Sequence, residues 1–177
     1  DHSGRQQWIS NVQSREETHL LRAHYQAILV GKRTVELDDP RLDVRSVQFP
    51  DHRNQVVVVD SQKGLGPSLS PYRLSQFHLP EDIIRVVSSE RQEASPHEKN
   101  SQEQILFLDK KGSSLDLREL GQKLFQMGIC SVLVEGGGIT FSHFLTQKAA
   151  DRLILFYGTK ILGNPSGISW TQALRGF

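Results

Sequence analysis

The chain has little of the cysteine and surplus charge on which several classes of protein depend. One cysteine in 177 residues excludes an internal disulfide and a thiolate zinc cage. Because 21 Lys and Arg face 20 Asp and Glu, the formal net charge is only +1, which gives no strong attraction to nucleic acid or to a membrane surface. No apolar run approaches the roughly 20 residues of a membrane helix, and no signal-peptide pattern stands at its start. We therefore expect a cytoplasmic protein with a small-molecule ligand.

Several catalytic motifs are also missing from the sequence. The seven histidines form no H-E-x-x-H pair, and the H-x-E and C-x-x-C strings of zinc deaminases are absent, so we expect no metal site. No G-x-S-x-G string is present, which disfavours a serine hydrolase. Cys130 opens an apolar run, and we expect it to be a buried thiol in a reducing compartment.

Strand and helix patterns alternate along the chain. "ISNVQSREETHLLRAHY" predicts a helix with Ser10 as N-cap and an end near Tyr25, and "LDLRELGQKLFQMG" predicts an amphipathic helix that Gly128 ends. Short apolar runs predict strands at "QAILVG", "NQVVVVDS", "DIIRVVSS", "QILFLD", "SVLV" and "DRLILFYG". Strands that alternate with helices indicate an α/β domain with a mostly parallel sheet covered on both faces.

Two polar segments interrupt the alternation. Residues 61–76 and 89–104 are rich in turn and breaker residues, and we interpret both as surface loops rather than domain linkers. At this length residues 1–177 fit one domain, whose core can bury about 70% of the unfolded surface. The first and last segments lack a completed strand, so we expect a single domain trimmed at both ends.

A strand runs into three glycines in "VLVEGGG". Residues without Cβ let the backbone approach a ligand closely, and the helix that follows presents free N–H groups to an anion. Gly136, Gly137 and Gly138 therefore indicate a phosphate or dinucleotide site, although a tight turn explains the same pattern equally well. Glu135 stands at the carboxyl end of the strand, where α/β sheets bind ligands, but an acid there can also serve the helix dipole.

A second cluster extends from Leu20 to Arg45. Asp38 and Asp39 precede a proline, which predicts a turn after the "QAILVG" strand and its short sequel. Arg22 and Arg45 flank this block, and arginine is suited to bidentate phosphate contacts. Two solvated surface arginines would fit the sequence as well.

Taken together, these strings resemble one enzyme family. They are "QQWIS", "LRAHYQAILVGKRTVELDDPRLDVR", "VVVVDS", "VLVEGGG" and "DRLILFYGTKILG". In the same order they resemble the reductase domain of the bifunctional riboflavin biosynthesis pyrimidine deaminase/reductase. The likeness spans nearly the whole chain.

The resemblance implies a dihydrofolate-reductase-like fold, a three-layer α/β/α sandwich with a mostly parallel mixed sheet. It also implies that NADPH delivers hydride to C1′ of 5-amino-6-(5-phosphoribosylamino)uracil, which opens the sugar to a ribityl chain. A zinc deaminase domain is expected upstream in the full-length, multifunctional protein, and a homodimer is the expected assembly.

The resemblance further implies roles for individual residues. The positions that match the cofactor site are Trp8, Thr34, Asp38, Ser61, Gly137, Gly138, Ile139, Thr140, Phe141, Ser142 and His143. Those that match the site of the phosphoribosyl substrate are Arg22, Leu42, Arg45 and Glu135. Ser61 and Lys63 are candidates to bind the cofactor 2′-phosphate.

The catalytic prediction concerns two carboxylates. The nicotinamide supplies the reducing chemistry, so the protein must position it against C1′ and exclude water. Asp38 and then Glu135 are the residues we would test as proton donors, and a role in holding ribose hydroxyls fits either one equally.

The chain departs from the family at Gln6, where Ser is common, and at Gln26, where Asp is common. The family also has a strand ending in "S-L-D-G" before the first tryptophan motif and continues beyond the equivalent of Phe177. Two alternatives stay open. One is an NADPH reductase of the same fold acting on a pterin or another pyrimidine, and the other is a catalytically silent domain for nucleotide binding or assembly.

Overall fold

The computed structural model of the protein describes residues 11–45, 48–50, 52–91, 103–112 and 114–156. Gln6, Trp8 and Ser10, which carry three of the predictions, lie outside the described residues. None of the helices in the described part of the chain combines the length and apolar character that a membrane crossing requires.

A five-stranded parallel sheet forms the centre of the fold. Its strands, in chain order, are β1 (Ala27–Gly31), β2 (Gln55–Val59), β3 (Ile83–Ser88), β4 (Gln104–Leu108) and β7 (Val132–Val134). Their spatial order is β4-β3-β2-β1-β7, and each pairing of this sheet among the described residues is parallel. Continuous β-branched runs such as that of β2 suit this arrangement, because both faces of each strand are buried. The predicted α/β class is confirmed.

The described residues also form α-helices before, between and after these strands. They are α1 (Val12–His24), α2 (Lys32–Asp38), α3 (Leu74–Phe77), α4 (Leu117–Gln126) and α5 (Gly138–Thr146). Two 3-10 turns, Pro80–Asp82 and Ser89–Arg91, flank β3, and a small antiparallel ribbon joins β5 (Lys110–Lys111) to β6 (Ser114–Leu115).

The core lies on both faces of the sheet. On one face Ala27 and Leu29 of β1 belong to an apolar cluster with Leu120 and Leu124 of α4, and Phe144 of α5 packs against it. On the other face the alternate β1 residues belong to a second cluster with residues of α2, α3 and the loops around them: Ile28, Val30, Val35, Leu42, Leu65, Leu69 and Leu74. Helices on both sides of one sheet give the predicted three layers.

The helix ends depend on local capping. Asn11 caps α1, since its side-chain oxygen accepts a hydrogen bond from the Ser14 N–H at 2.8 Å. The N-cap of α1 is therefore Asn11, whereas we predicted the preceding residue, Ser10. The predicted end of α1 near Tyr25 is confirmed, and Gly128 follows α4 with a φ of +85° that favours glycine.

The segment 61–76 is less superficial than predicted. Its leucines at 65, 69 and 74 are buried against the sheet, and Leu74 begins α3. These spaced leucines hold the polar segment against the core. The many turn residues between them make this burial hard to recognise from the sequence. Most of the second predicted loop, residues 92–102, lies outside the described residues.

The strand predicted at "DRLILFYG" is not present where the structure describes it. Residues 152–156 have no strand assignment, and the side chains from Leu153 to Phe156 are exposed. An apolar run predicts a strand only where a neighbouring strand completes its hydrogen bonds. Over residues 152–156 no such pairing forms, so this prediction is wrong there.

The prediction of a buried thiol is also wrong. Cys130 is exposed, and it lies in the connection between α4 and β7 rather than inside the strand. Its N–H donates to Gln26 Oε1 at 2.6 Å. The preceding residue, Ile129, is buried, so the core ends directly beside the exposed thiol.

A buried ion pair fixes the turn after β2. Arg85 Nη2 lies 2.6 Å from Asp60 Oδ2, and these side chains are 2% and 0% exposed. Asp60 also accepts hydrogen bonds from the N–H groups of Gly64 and Leu65 at 2.8 and 3.1 Å. One carboxylate therefore connects β3 to the backbone that follows β2.

We predict that Arg85→Met destabilises the fold by about 3 to 5 kcal/mol, because it leaves the Asp60 charge buried without its partner. Urea unfolding measures this change, and the exposed Arg53→Met is the matched control, expected within about 0.5 kcal/mol of wild type. A loss below about 1 kcal/mol for Arg85→Met would mean that the pair is dispensable.

Candidate active site

The carboxyl ends of β1, β2 and β7 meet at one edge of the sheet and border a cavity of about 400 Å³. We call it the glycine cavity. It lies between α2, the turn after β2, the β5–β6 ribbon and the start of α5. Its lining includes Gly31, Lys32, Arg33, Thr34, Asp38, Ser61, Gln62, Lys110, Gly137, Gly138, Ile139, Thr140 and His143.

Two glycines of this edge are required by close packing. A Cβ atom on Gly136 would lie 2.6 Å from Thr140 Cγ2 and 2.9 Å from Thr140 Oγ1, and one on Gly31 would also overlap the Thr140 hydroxyl. Thr140 therefore occupies the space that side chains at both positions would need. This contact brings the ends of β1 and β7 against the first turn of α5.

Gly137 has a different surrounding. Apart from Gly137 and its two chain neighbours, none of the described residues has an atom within 4 Å of the place where the Gly137 Cβ would stand, and Gly137 lines the cavity. It is the N-cap residue of α5, and the first intrahelical hydrogen bond runs from the Phe141 N–H to the Gly137 carbonyl at 3.1 Å. The amides before Phe141 are left without helical partners and form the positive end of the helix dipole. The described residues therefore leave this helix start open to an anion.

Most of the predicted cofactor residues border this one cavity. Thr34, Asp38, Ser61, Gly137, Gly138, Ile139, Thr140 and His143 line it. Phe141 instead lines a second cavity, and Ser142 borders neither. Trp8 lies outside the described residues.

Two lysines at the cavity were missed by sequence reasoning. Lys32 lines it, and its Nζ lies against Gly64 and 3.1 Å from Glu36 Oε1. Lys110 lines it too and pairs with Glu90. A basic residue directly after the glycine that ends a strand was the available signal for Lys32. Lys63, our candidate, lies beside the Phe107 ring, 5.5 Å from its centroid, and is not among the lining residues.

The second cavity, of about 620 Å³, lies between α1, α4, β7 and α5, and we call it the α1 cavity. Apolar residues form most of its wall, and Glu135 lies at its border. The two carboxylates that we predicted as catalytic therefore border different cavities, since Asp38 lines the glycine cavity.

Arg22 holds Glu135 in a bidentate pair. Arg22 Nε donates to Oε1 at 2.7 Å, and Nη2 donates to Oε2 at 2.6 Å. Its third contact runs from Nη1 to the Asp43 carbonyl at 2.8 Å. The Glu135 N–H in turn donates to the Leu29 carbonyl at 2.8 Å, which continues the β1–β7 ladder. Arg22 thus directs the acid before the glycines and ties the loop of residues 39–45 to it.

The loop of residues 39–45 carries the other predicted substrate residues. Arg45 is 54% exposed, and its Nε lies 3.4 Å from Asp43 Oδ1. Leu42 has a φ of +56° and is 2% exposed within the core, so its backbone rather than its side chain is available to a ligand. Asp39 also has a positive φ of 40°, and two such non-glycine residues indicate a strained loop that its surroundings must hold.

His19 is a further titratable group of this cluster. Its Nδ1 accepts a hydrogen bond from the Arg45 N–H at 3.1 Å. Burial lowers the pKa of His19 below 6.5, and the charges of Arg22 and Arg45 lower it further, while Asp43 and Glu135 act in the opposite direction. A neutral ring whose Nδ1 lone pair accepts the Arg45 N–H agrees with this direction.

Among the described residues, no group of three or more His, Cys, Asp or Glu side chains is placed to hold a metal ion. The two cavities instead offer glycine backbone, lysines and paired carboxylates. These groups suit anionic and polar organic ligands.

Residues 1–174 match the family described as the RibD C-terminal domain. The chain belongs to the RibD C-terminal domain family. This assignment confirms the resemblance inferred from the quoted strings.

Relatives cover the chain almost completely. The riboflavin biosynthesis protein RibD of Aquifex aeolicus is 33% identical over 162 residues, which are 91% of this chain and 42% of that protein. The 2,5-diamino-6-ribosylamino-4(3H)-pyrimidinone 5′-phosphate reductase of Debaryomyces hansenii is 27% identical over 204 residues, covering 97% of this chain and 78% of that protein.

A solved structure has the same fold. It is the diaminohydroxyphosphoribosylaminopyrimidine deaminase/5-amino-6-(5-phosphoribosylamino)uracil reductase of Thermotoga maritima, with a TM-score of 0.68 and 32% identity over 95% of this chain and 43% of that one. The chain spans less than half the length of the RibD proteins that it matches.

The lowered pKa of His19 gives a prediction about stability. The unfolded state keeps a histidine pKa near 6.5, so below about pH 7 it binds more protons at this residue than the folded state does. Acidification from about pH 7.5 to 5 should therefore lower the melting temperature of wild type more than that of His19→Asn. Thermal unfolding at both pH values measures the difference. Equal shifts in the two proteins would show that His19 has an ordinary pKa.

Proposed function

We propose that this chain is an NADPH-dependent reductase domain that reduces 5-amino-6-(5-phosphoribosylamino)uracil to its ribitylamino product in riboflavin biosynthesis. The observation that carries the proposal is the "EGGG" junction. Gly137 and Gly138 line the glycine cavity at the start of α5, and the acid Glu135 pairs with Arg22 beside the loop of residues 39–45. Membership of the RibD C-terminal domain family supports the proposal.

The residues of the glycine cavity suit a dinucleotide. Gly137 leaves the start of α5 uncovered, so the free amides of the first turn can hold the pyrophosphate. Lys32 and Lys110 line the same cavity, and although each is paired with a glutamate, both could donate to the further phosphate of NADPH. Bound NADPH supplies the hydride. Thr34, Asp38 and Ser61 line the wall and would fix the orientation of the nucleotide.

The substrate is proposed to lie on the side of Glu135 and the loop of residues 39–45. Arg45 is the more exposed of the two predicted arginines, so its guanidinium is accessible to a substrate phosphate. Arg22 is 11% exposed, and its guanidinium already donates to both Glu135 oxygens and to the Asp43 carbonyl. We therefore assign Arg22 to orienting Glu135 and Arg45 to contacting the phosphate.

The protein must also supply a proton to the opened sugar. Asp38 is the first candidate, because it lines the glycine cavity, ends α2 and is exposed. Glu135 is less suited to donate, since both its oxygens accept hydrogen bonds from Arg22 and protonation would disrupt that pair. Its proposed task is to hold a ribose hydroxyl with the lone pairs that Arg22 leaves unused.

Turnover tests the proposal. The purified full-length protein is mixed with NADPH and the phosphoribosyl pyrimidine, and the loss of NADPH absorbance is compared with the product mass. We expect one product heavier by two hydrogen atoms for each NADPH consumed. Turnover of a dihydropterin instead would favour another reductase of this fold, and NADPH binding without turnover of either would favour a silent nucleotide-binding domain.

Gly137→Asp should weaken NADPH binding at least tenfold, equivalent to about 1.4 kcal/mol, because it places a negative charge where the pyrophosphate approaches. The empty space around its Cβ position means that the variant should fold normally. Fluorescence titration of NADPH measures the affinity. Gly137→Ala is the control for size, and a folded Gly137→Asp that keeps wild-type affinity would reduce the glycines to a turn.

Arg45→Ala should raise KM for the phosphorylated substrate about tenfold, the low end of a charge-assisted bond of about 1.5 to 3 kcal/mol, because Arg45 is 54% exposed. The dissociation constant of NADPH should stay unchanged. Arg118→Ala, an exposed arginine on α4, is the control. If the variant keeps the wild-type KM and the wild-type preference for the phosphorylated substrate, Arg45 is a solvated surface residue that does not contact the phosphate.

A further inference from the structure

We propose that His19 is a positioning residue that fixes Arg45 for the substrate phosphate. The inference rests on the proposed function, because it assigns to Arg45 the contact with that phosphate. His19 belongs to none of the motifs to which we assigned a role from the sequence. The structure shows that it contacts the loop of residues 39–45.

Helix α1 holds this loop at two points. His19 and Arg22 stand three residues apart, so they share one face of the helix. Arg22 Nη1 donates to the Asp43 carbonyl at 2.8 Å, and the Arg45 N–H donates to His19 Nδ1 at 3.1 Å. The two bonds hold backbone groups on either side of Val44. They therefore fix the position and the direction of the backbone that leads into Arg45.

Among the described residues, the ion pair with Asp43 does little to orient the Arg45 side chain. The ion pair with Asp43 is long, 3.4 Å, and Asp43 forms a shorter pair of 2.6 Å with Arg41 through its other oxygen. The loop also contains positive φ values at Asp39 and Leu42, a conformation that relaxes unless contacts maintain it. The bond from the Arg45 backbone to His19 is such a contact.

The role needs a hydrogen-bond acceptor at position 19 and not a charge. A neutral histidine can accept at Nδ1 when Nε2 carries the proton, and the lowered pKa favours that neutral form near pH 7. The positive neighbours Arg22 and Arg45 and the acidic neighbours Asp43 and Glu135 complete the charged surroundings of the ring. Asparagine offers an acceptor oxygen close to the place of Nδ1, whereas alanine and leucine offer none.

The experiment compares His19→Ala, His19→Leu and His19→Asn in the turnover assay near pH 7.5. Loss of one hydrogen bond predicts a KM for the phosphorylated substrate about threefold to tenfold above wild type in the Ala and Leu variants. Their kcat should stay within about twofold, and their NADPH affinity should not change. His19→Asn should restore a KM close to wild type.

The order of the variants separates positioning from stability. Alanine is the better helix former and asparagine a poorer one, so an effect through helix stability would make the Asn variant the worse of the two. Positioning predicts the reverse order of KM. His24→Ala, an exposed histidine of the same helix, is the matched control and should keep wild-type KM.

Three results would overturn the inference. They are wild-type KM in both the Ala and Leu variants, no rescue by Asn, and failure of both the Ala and Leu variants to fold, which would make His19 a residue of the fold. Absence of turnover in wild type is a separate result, since it contradicts the proposed reductase function itself. A His19→Ala variant with raised KM and a wild-type NADPH dissociation constant supports the inference.

Discussion

The contact of Thr140 with two glycine backbones is the constraint on which the rest of the site depends. Its side chain fills the space that Cβ atoms on Gly31 and Gly136 would need, so β1 and β7 can end side by side against the first turn of α5. Because β1 pairs with both β2 and β7, this packing also brings α2 and the turn after β2 to the same edge. The glycine cavity is the space left between these elements.

The "EGGG" junction joins the two halves of the proposed active site within four residues. Gly137 faces the glycine cavity, whereas Glu135 is paired with Arg22 and borders the α1 cavity. Residues 135–137 lie in the turn between β7 and α5, so Glu135 and Gly137 can border different cavities although they are two residues apart. Arg22 also donates to the Asp43 carbonyl, so it links Glu135 to the loop of residues 39–45.

Local patterns predicted what depends on local sequence. The runs at β1, β2, β3, β4 and β7 and the helix stop at Gly128 were all identified, and the family followed from strings whose order the sequence displays. Partners distant in sequence were not accessible in this way. Nothing in the sequence indicates that Arg22 meets Glu135, that Arg85 is buried with Asp60, or that Cys130 is exposed. These properties depend on which elements become neighbours. The roles assigned to Asp38, Ser61 and Arg45 stay predictions.

Hydrogen–deuterium exchange with and without NADPH tests the central claim most directly, because it locates the cofactor without requiring turnover. The account predicts added protection of the backbone amides in residues 31–38 and 137–144, which border the glycine cavity from opposite sides, with little change in β3 and β4. Protection confined to the walls of the α1 cavity, or absent from both segments at saturating NADPH, would contradict it.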